Sequence, residues 1–149
     1  MLNRDWIAAH IPHQGSMCLL DAVTAWSPQA IRCTAGSHRL PDNPLRADGR
    51  LGAACGIEYA AQAMAVHGAL LATADAQPRQ GYLASVRSVE LLAERLDDVA
   101  GDLEVRAERL SGDGNNILYQ FSVLAGERLL LSGRAAVILD AGTPPGSST

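Results

Sequence analysis

Residues 51–74 read Leu51-Gly52-Ala53-Ala54-Cys55-Gly56-Ile57-Glu58-Tyr59-Ala60-Ala61-Gln62-Ala63-Met64-Ala65-Val66-His67-Gly68-Ala69-Leu70-Leu71-Ala72-Thr73-Ala74. Alanine, leucine and methionine dominate, and they lose little on becoming helical. Met64, Val66, Leu70, Leu71 and the alanines fall on every side of the axis, and a helix apolar all round is a buried helix. Its one formal charge is Glu58. A carboxylate in such surroundings is paired, neutralised or turned to a cavity. Gln62 stands one turn further on, on the same face. An acid and an amide aligned on a buried helix mark a candidate site. The plainer reading is a core acid satisfied by a backbone amide or an arginine. A bilayer span needs about 20 apolar residues. Here the apolar content is mostly alanine, is broken by Glu58, Gln62 and His67, and has no basic flank on one side, so no membrane span is expected.

Cover for this helix has to come from the rest of the chain. Asp5 is placed to cap a short helix over residues 6–10, stopped before Pro12. After the tight turn 11–15, residues 17–26 carry Leu19, Val23 and Ala25 on one side and read as a strand. Ser27-Pro28-Gln29 turns the chain into a partner strand over 30–35, making a hairpin. The irregular connection 36–50 leads to the long helix. Beyond the polar loop 75–80, residues 81–94 form a largely apolar strand. Leu103, Val105 and Ala107 alternate with Glu104, Arg106 and Glu108 over 102–110, a half-buried strand pattern. Ser111-Gly112-Asp113-Gly114 has turn chemistry. Ile117, Tyr119, Phe121 and Val123 form the next alternating strand, and residues 128–139 the last.

The order is hairpin, one long helix, then four strands joined by short turns, which implies antiparallel neighbours. Consecutive strands over 81–139 are expected to form a meander, with the hairpin at its edge or inside it. The predicted class is α+β: a curved antiparallel sheet of about six strands wrapped around one central helix, the hotdog architecture. A second copy of the domain would complete the cover. Residues 1–140 make the domain, and 141–149, Ala-Gly-Thr-Pro-Pro-Gly-Ser-Ser-Thr, are expected to be a disordered tail.

At 149 residues the chain fits one domain. A net charge of −4 without a basic cluster argues against a nucleic-acid surface. There is no lysine, which excludes a Schiff base from this chain. Cys18, Cys33 and Cys55 are scattered among apolar residues without metal-ligand spacing, as reduced thiols in a cytoplasmic protein would be. The N-terminus lacks the apolar run of a secretion signal. No glycine-rich phosphate loop and no His/Cys ligand cluster are present, so neither a cofactor nor a metal is expected.

Three segments carry a resemblance. Ile11-Pro12-His13-Gln14-Gly15-Ser16-Met17-Cys18-Leu19-Leu20-Asp21-Ala22-Val23 resembles the Leu-Pro-His-Arg-x-Pro-Phe-Leu-Leu-x-Asp-x-Val signature of 3-hydroxyacyl-acyl-carrier-protein dehydratases. Gly56-Ile57-Glu58-Tyr59-Ala60-Ala61-Gln62 is similar to their helix, where an acid is followed four residues later by glutamine. Gly81-Tyr82-Leu83-Ala84-Ser85-Val86 resembles their third strand. Among these enzymes the likeness is greatest to the dehydratase-like proteins of aryl-polyene and related polyketide pathways. One feature departs. The family's catalytic histidine lies fourteen residues before the helix acid, and here that position is Pro44 in Asn43-Pro44-Leu45-Arg46. His13, in the turn before the first strand, and His38, in the polar run Ser37-His38-Arg39 that is expected to be exposed, are the two replacements; His10 and His67 are read as structural.

The resemblance implies removal of water from a 3-hydroxyacyl thioester on an acyl carrier protein, in fatty-acid or polyene biosynthesis. Glu58 would serve as acid and His13 as base, with His38 the alternative base, while Gln62 orients the acid or a water. Backbone N–H groups around Gly52, Ala53 and Gly56 would hold the thioester oxygen. Two rival readings are a thioesterase, which uses the same fold and a helix acid, and a non-catalytic subunit completing the dimer of an active dehydratase. The expected assembly is a homodimer or a heterodimer with another hotdog subunit.

Overall fold

Helix α2, Gly56–Asp75, lies against one seven-stranded antiparallel sheet and packs on four of its strands. The computed structural model describes residues 2–11, 15–75, 80–112 and 116–140. His13 and the tail 141–149 lie outside the described residues. In chain order the elements are β1 Leu2–Asn3, α1 Arg4–His10, β2 Ala22–Ser27, β3 Ala30–Ala35, α2, β4 Gln80–Leu91, β5 Leu103–Gly112, β6 Asn116–Ala125 and β7 Arg128–Asp140. Short 3₁₀ turns fill Gly15–Met17, Ser37–Arg39 and Ala53–Cys55. The expected α+β hotdog architecture is the observed one.

Strand order is β1-β2-β3-β5-β6-β7-β4. The hairpin β2–β3 joins the meander β5–β6–β7 through β5, with Ile31 opposite Ala107 and Cys33 opposite Val105. The expected meander of consecutive strands therefore fails at one point. β4 does not pair with β5; it runs along β7 at the far edge. The connection 92–102 carries the chain past β7 and β6 to reach β5, and is long enough to do so. Alternation along a strand fixes which face is buried and says nothing about which strand lies next to it.

Several boundaries also differ. Asn3, not Asp5, caps α1: its side chain accepts from the Trp6 N–H at 3.0 Å, and the helix starts at Arg4. The sheet gains β1, too short to show in the sequence. Residues 17–20 are not strand, because their backbone is held by a side chain of α2 instead. The helix proper begins at Gly56, after residues 51–52 run extended. A Cβ on Gly56 would lie 2.5 Å from the Leu131 Cδ2, so glycine lets α2 approach β7. The core joins α2 to the inner faces of the strands through Tyr59, Ala63, Val66, Leu103, Val105, Tyr119, Phe121 and Leu131. Cys18 and Cys33 are buried free thiols, and burial pushes the Cys33 thiol up to about 12.

Candidate active site

The approach to α2 is built from a fragment of ladder. The Leu96 N–H donates to the Leu51 carbonyl at 2.7 Å and the Ala53 N–H to the Glu94 carbonyl at 3.1 Å, which sets Gly52 opposite Arg95. In such a non-hydrogen-bonded pair the central residue's N–H faces away from the partner segment. Gly52 is exposed, and nothing stands within 4 Å of where its Cβ would be. Of the three peptide groups expected to hold a thioester oxygen, Ala53 and Gly56 already donate within the chain: Ala53 to Glu94, and Gly56 to the carbonyls of Ala53 and Ala54. Gly52 is the one whose N–H is turned outward.

Glu58 follows in the first turn of α2. The expectation of a helix buried on every side is corrected here. Tyr59, Gln62, Ala63, Val66, His67 and Leu70 are buried against the sheet, whereas Ile57, Glu58, Ala61, Ala65, Gly68 and Ala69 are half-buried on the other side. One curved sheet covers one side of an apolar helix and leaves the other to something else.

Gln62 has a different task from orienting the acid or a water. Its Nε2 donates to the Met17 carbonyl at 2.7 Å and its Oε1 accepts from the Leu19 N–H at 2.9 Å. A buried amide must satisfy both ends, and this one does so by holding the segment just after His13. Three residues earlier on α2, Tyr59 anchors a second loop. The Ser37 hydroxyl donates to the Leu19 carbonyl at 2.8 Å and accepts from the Tyr59 hydroxyl at 2.8 Å. The Asn43 Nδ2 donates to the Tyr59 oxygen at 3.0 Å and to the Ser37 carbonyl at 2.9 Å. None of Tyr59, Ser37 and Asn43 was singled out from the sequence. The available signal was Asn43 itself, a polar residue next to the position where the family carries histidine.

His38 overturns the expectation of exposure: it is fully buried. Its Nε2 donates to the Val99 carbonyl at 3.1 Å, which in the neutral ring leaves the lone pair on Nδ1, and Nδ1 has no partner among the described residues. Burial lowers its pKa, offset in part by the Val99 and Gly101 carbonyls. It thus has a base's vacant lone pair, but solvent does not reach it in the single chain. His67 is structural, as expected. Its Nε2 donates to the Ser27 carbonyl and its Nδ1 accepts from the Tyr119 hydroxyl, each at 2.7 Å, and burial lowers its pKa. His10 stacks on Trp6.

Among the described residues no three His, Cys, Asp or Glu side chains gather as metal ligands. A groove of about 540 Å³ lies on the outer face of the sheet, lined by Trp26, Arg32, Arg106, Glu108 and Gln120. It shares no residue with the helix site and sits across the sheet from it. No helix among the described residues is long and apolar enough to cross a membrane.

A family model described as ApeP dehydratase matches residues 6–142. The chain belongs to the ApeP-like dehydratase family. That membership bears out the resemblance drawn from the three sequence segments. No match is found among curated proteins. Among solved structures, the dehydratase heterocomplex ApeI:P from Xenorhabdus doucetiae is similar with a TM-score of 0.79 and 20% identity, over 99% of this chain and 95% of that chain. A thioesterase from Haemophilus influenzae has a TM-score of 0.63 and 13% identity, over 85% and 81% of the two chains. A mutant thioesterase from Pseudomonas aeruginosa has a TM-score of 0.60 and 11% identity, over 80% of each. At these identities the likeness shows the fold. The ApeP-like chain thus shares its architecture with a dehydratase complex and, at greater distance, with thioesterases.

Proposed function

We propose that this ApeP-like chain removes water from a 3-hydroxyacyl thioester carried on an acyl carrier protein, giving a trans-2-enoyl thioester in an aryl-polyene type of pathway. The observation that carries the reading is Glu58: an acid in the first turn of α2, on the side that the sheet leaves open, in a chain of the dehydratase family. The thioester carbonyl acidifies C2, and the outward N–H of Gly52 stabilises the charge that develops on its oxygen. His13, outside the described residues, takes the C2 proton, with His38 the alternative. Glu58 delivers a proton to the hydroxyl on C3, the C3–O bond breaks, and water leaves with the C2–C3 double bond formed. Gln62 holds the backbone that follows His13.

A second subunit of the same fold completes the site. The half-buried side of α2 needs cover, and the edge strand β4 exposes Leu83 and Leu91, followed by Leu92. A dimer that pairs this edge and closes over Glu58 excludes water from the reacting atoms. A stable monomer at micromolar concentration in sedimentation would count against this assembly.

One observation favours a second reading, in which the chain is the non-catalytic member of a heterodimer. Where the family carries its loop histidine, this chain has Asn43-Pro44, and Asn43 is committed to Tyr59 and Ser37. The test is a synthetic 3-hydroxyacyl carrier substrate offered to the purified chain, alone and with a partner subunit. Enoyl thioester from the chain alone supports the main reading. Product only with the partner present, unaffected by Glu58→Gln and His13→Ala in this chain, supports the second. Free acid would make it a thioesterase.

A further inference from the structure

We propose that Asp97 is a positioning residue for the active site, acting through the Leu51 amide to hold the peptide of Gly52 in its outward direction. The inference rests on the dehydratase reading above and adds a residue that touches no substrate.

The ladder that leads into α2 is interrupted at Leu51. In an antiparallel pair, hydrogen-bonded residues exchange two bonds. Leu51 and Leu96 exchange only one: the Leu96 N–H donates to the Leu51 carbonyl at 2.7 Å. The return bond is not made by the backbone, because the Leu96 carbonyl turns to accept from the Val99 N–H at 3.1 Å. The Asp97 carboxylate takes the missing place, its Oδ1 accepting from the Leu51 N–H at 2.8 Å. Arg95 fixes that carboxylate from the other side. Its Nε lies 3.0 Å from Oδ1 and 3.1 Å from Oδ2, and its Nη2 also bonds Oδ2. The Asp97 side chain is only 7% exposed. The Arg95 bonds above all, and the Leu51 amide next, hold its carboxyl far below the usual carboxylate range.

This bond is placed where the chain has little else to direct it. Residues 48 and 49 adopt left-handed backbone, with φ 53° at Asp48 and 74° at Gly49, so the segment leaves a tight turn just before Leu51. Between that turn and the 3₁₀ turn Ala53–Cys55, direction is set by the two backbone bonds to Glu94 and Leu96 and by Asp97. A donor aimed at a developing oxyanion has to be held in advance, since a small rotation forfeits most of its effect. Leu51 is the residue immediately before that donor, and its amide is fixed by a charge-assisted bond, stronger than a neutral one.

The test compares Asp97→Ala, Asp97→Asn and Arg95→Gln with wild type, each assembled with its partner subunit if one is required, on a 3-hydroxyacyl carrier substrate. Asp97→Ala is expected to lower kcat at least about tenfold with KM within about twofold, and to speed hydrogen exchange at the Leu51 amide. Asp97→Asn keeps an oxygen for that amide, so its kcat and its Leu51 protection should stay within about threefold of wild type. Arg95→Gln, which leaves the Asp97 carboxylate in place but less firmly held, should lower kcat by less than Asp97→Ala does. If the alanine variant does not fold, Asp97→Ser, too short to reach Leu51, replaces it. An unchanged kcat in Asp97→Ala, an equal loss in Asp97→Asn, or unaltered Leu51 exchange overturns the proposal. Glu58→Gln, assayed alongside, separates the two failures. If it is inactive while Asp97→Ala is fully active, only the positioning role is lost. If it is fully active, the site reading fails and takes this role with it.

Discussion

On the side of α2 that meets the sheet, Tyr59, Gln62 and His67 are buried polar residues whose hydrogen-bonding atoms are all engaged, by Ser37 and Asn43, by the backbone of Met17 and Leu19, and by Tyr119 and Ser27. On the other side stand Glu58 and a row of small residues, Ala61, Ala65, Gly68 and Ala69, that the same chain leaves half-covered. Both sides are drawn from one nearly uncharged sequence. The covered side uses its polar groups to pull loops onto the helix, and a missing partner there would cost stability directly. The other side carries the acid and, beside Ile57, mostly small residues, and the sheet does not cover it. The polar residues of the first side draw loops onto the helix, whereas the second side is where the proposed site lies.

The sharpest way to break that division is Glu58→Gln. It is expected to reduce dehydration at least about a hundredfold, the range for losing an acid–base group, with Tm nearly unchanged in calorimetry. An unfolded variant would move Glu58 to the structural side. Gln62→Ala is the counterpart. It leaves the buried Leu19 N–H and the Met17 carbonyl without their partner, and about 3 kcal/mol of stability should disappear from a denaturant titration. Equal stability would mean that the clamp holds nothing. Ala65→Arg sharpens the contrast from the open side: the single chain should keep its stability to within about 0.5 kcal/mol, while sedimentation should show the assembly lost. The smallest effect concerns pH. Burial lowers the pKa of both His38 and His67 in the folded chain. Below about pH 6.5 the unfolded chain therefore binds protons that the folded one refuses. Stability is full above that value and declines as pH falls through the folded values. Melting curves between neutral and mildly acid pH should show this fall, and His67→Gln should flatten it.

Much of the fold was legible because alternation and helical composition are local signals. The long helix, the hairpin and the three strands of the meander could be placed from their own residues. The position of β4 could not, since apolar alternation in residues 81–91 suits an edge beside β7 as well as a place beside β5. Residues 17–20 looked like strand for a similar reason: Met-Cys-Leu-Leu is apolar in either setting, and only the Gln62 clamp decides between them. At the site, Glu58 stood out as the single charge in residues 51–74, and Gln62 by its spacing from it. The burial of His38 was hidden by its polar neighbours Ser37 and Arg39. What buries it is the 96–101 segment, some sixty residues away in sequence and reached through the Val99 carbonyl. The bond from the Leu51 N–H to Asp97 was hidden in the same way, since it depends on the Leu96 carbonyl turning to Val99.

The edge strand β4 is irregular at two places, between Leu83 and Ser85 and between Arg87 and Glu90, and Ser88 within the second has φ 56°. A straight, uniform strand laid along it would lose step twice. The edge therefore works like a notched key: a stranger's strand, however sticky, meets mismatched backbone, and only a neighbour shaped with compensating steps can run its full length. If the proposed dimer pairs this edge, its choice of mate rests on the main chain, where exchanging individual side chains would do little to erase it.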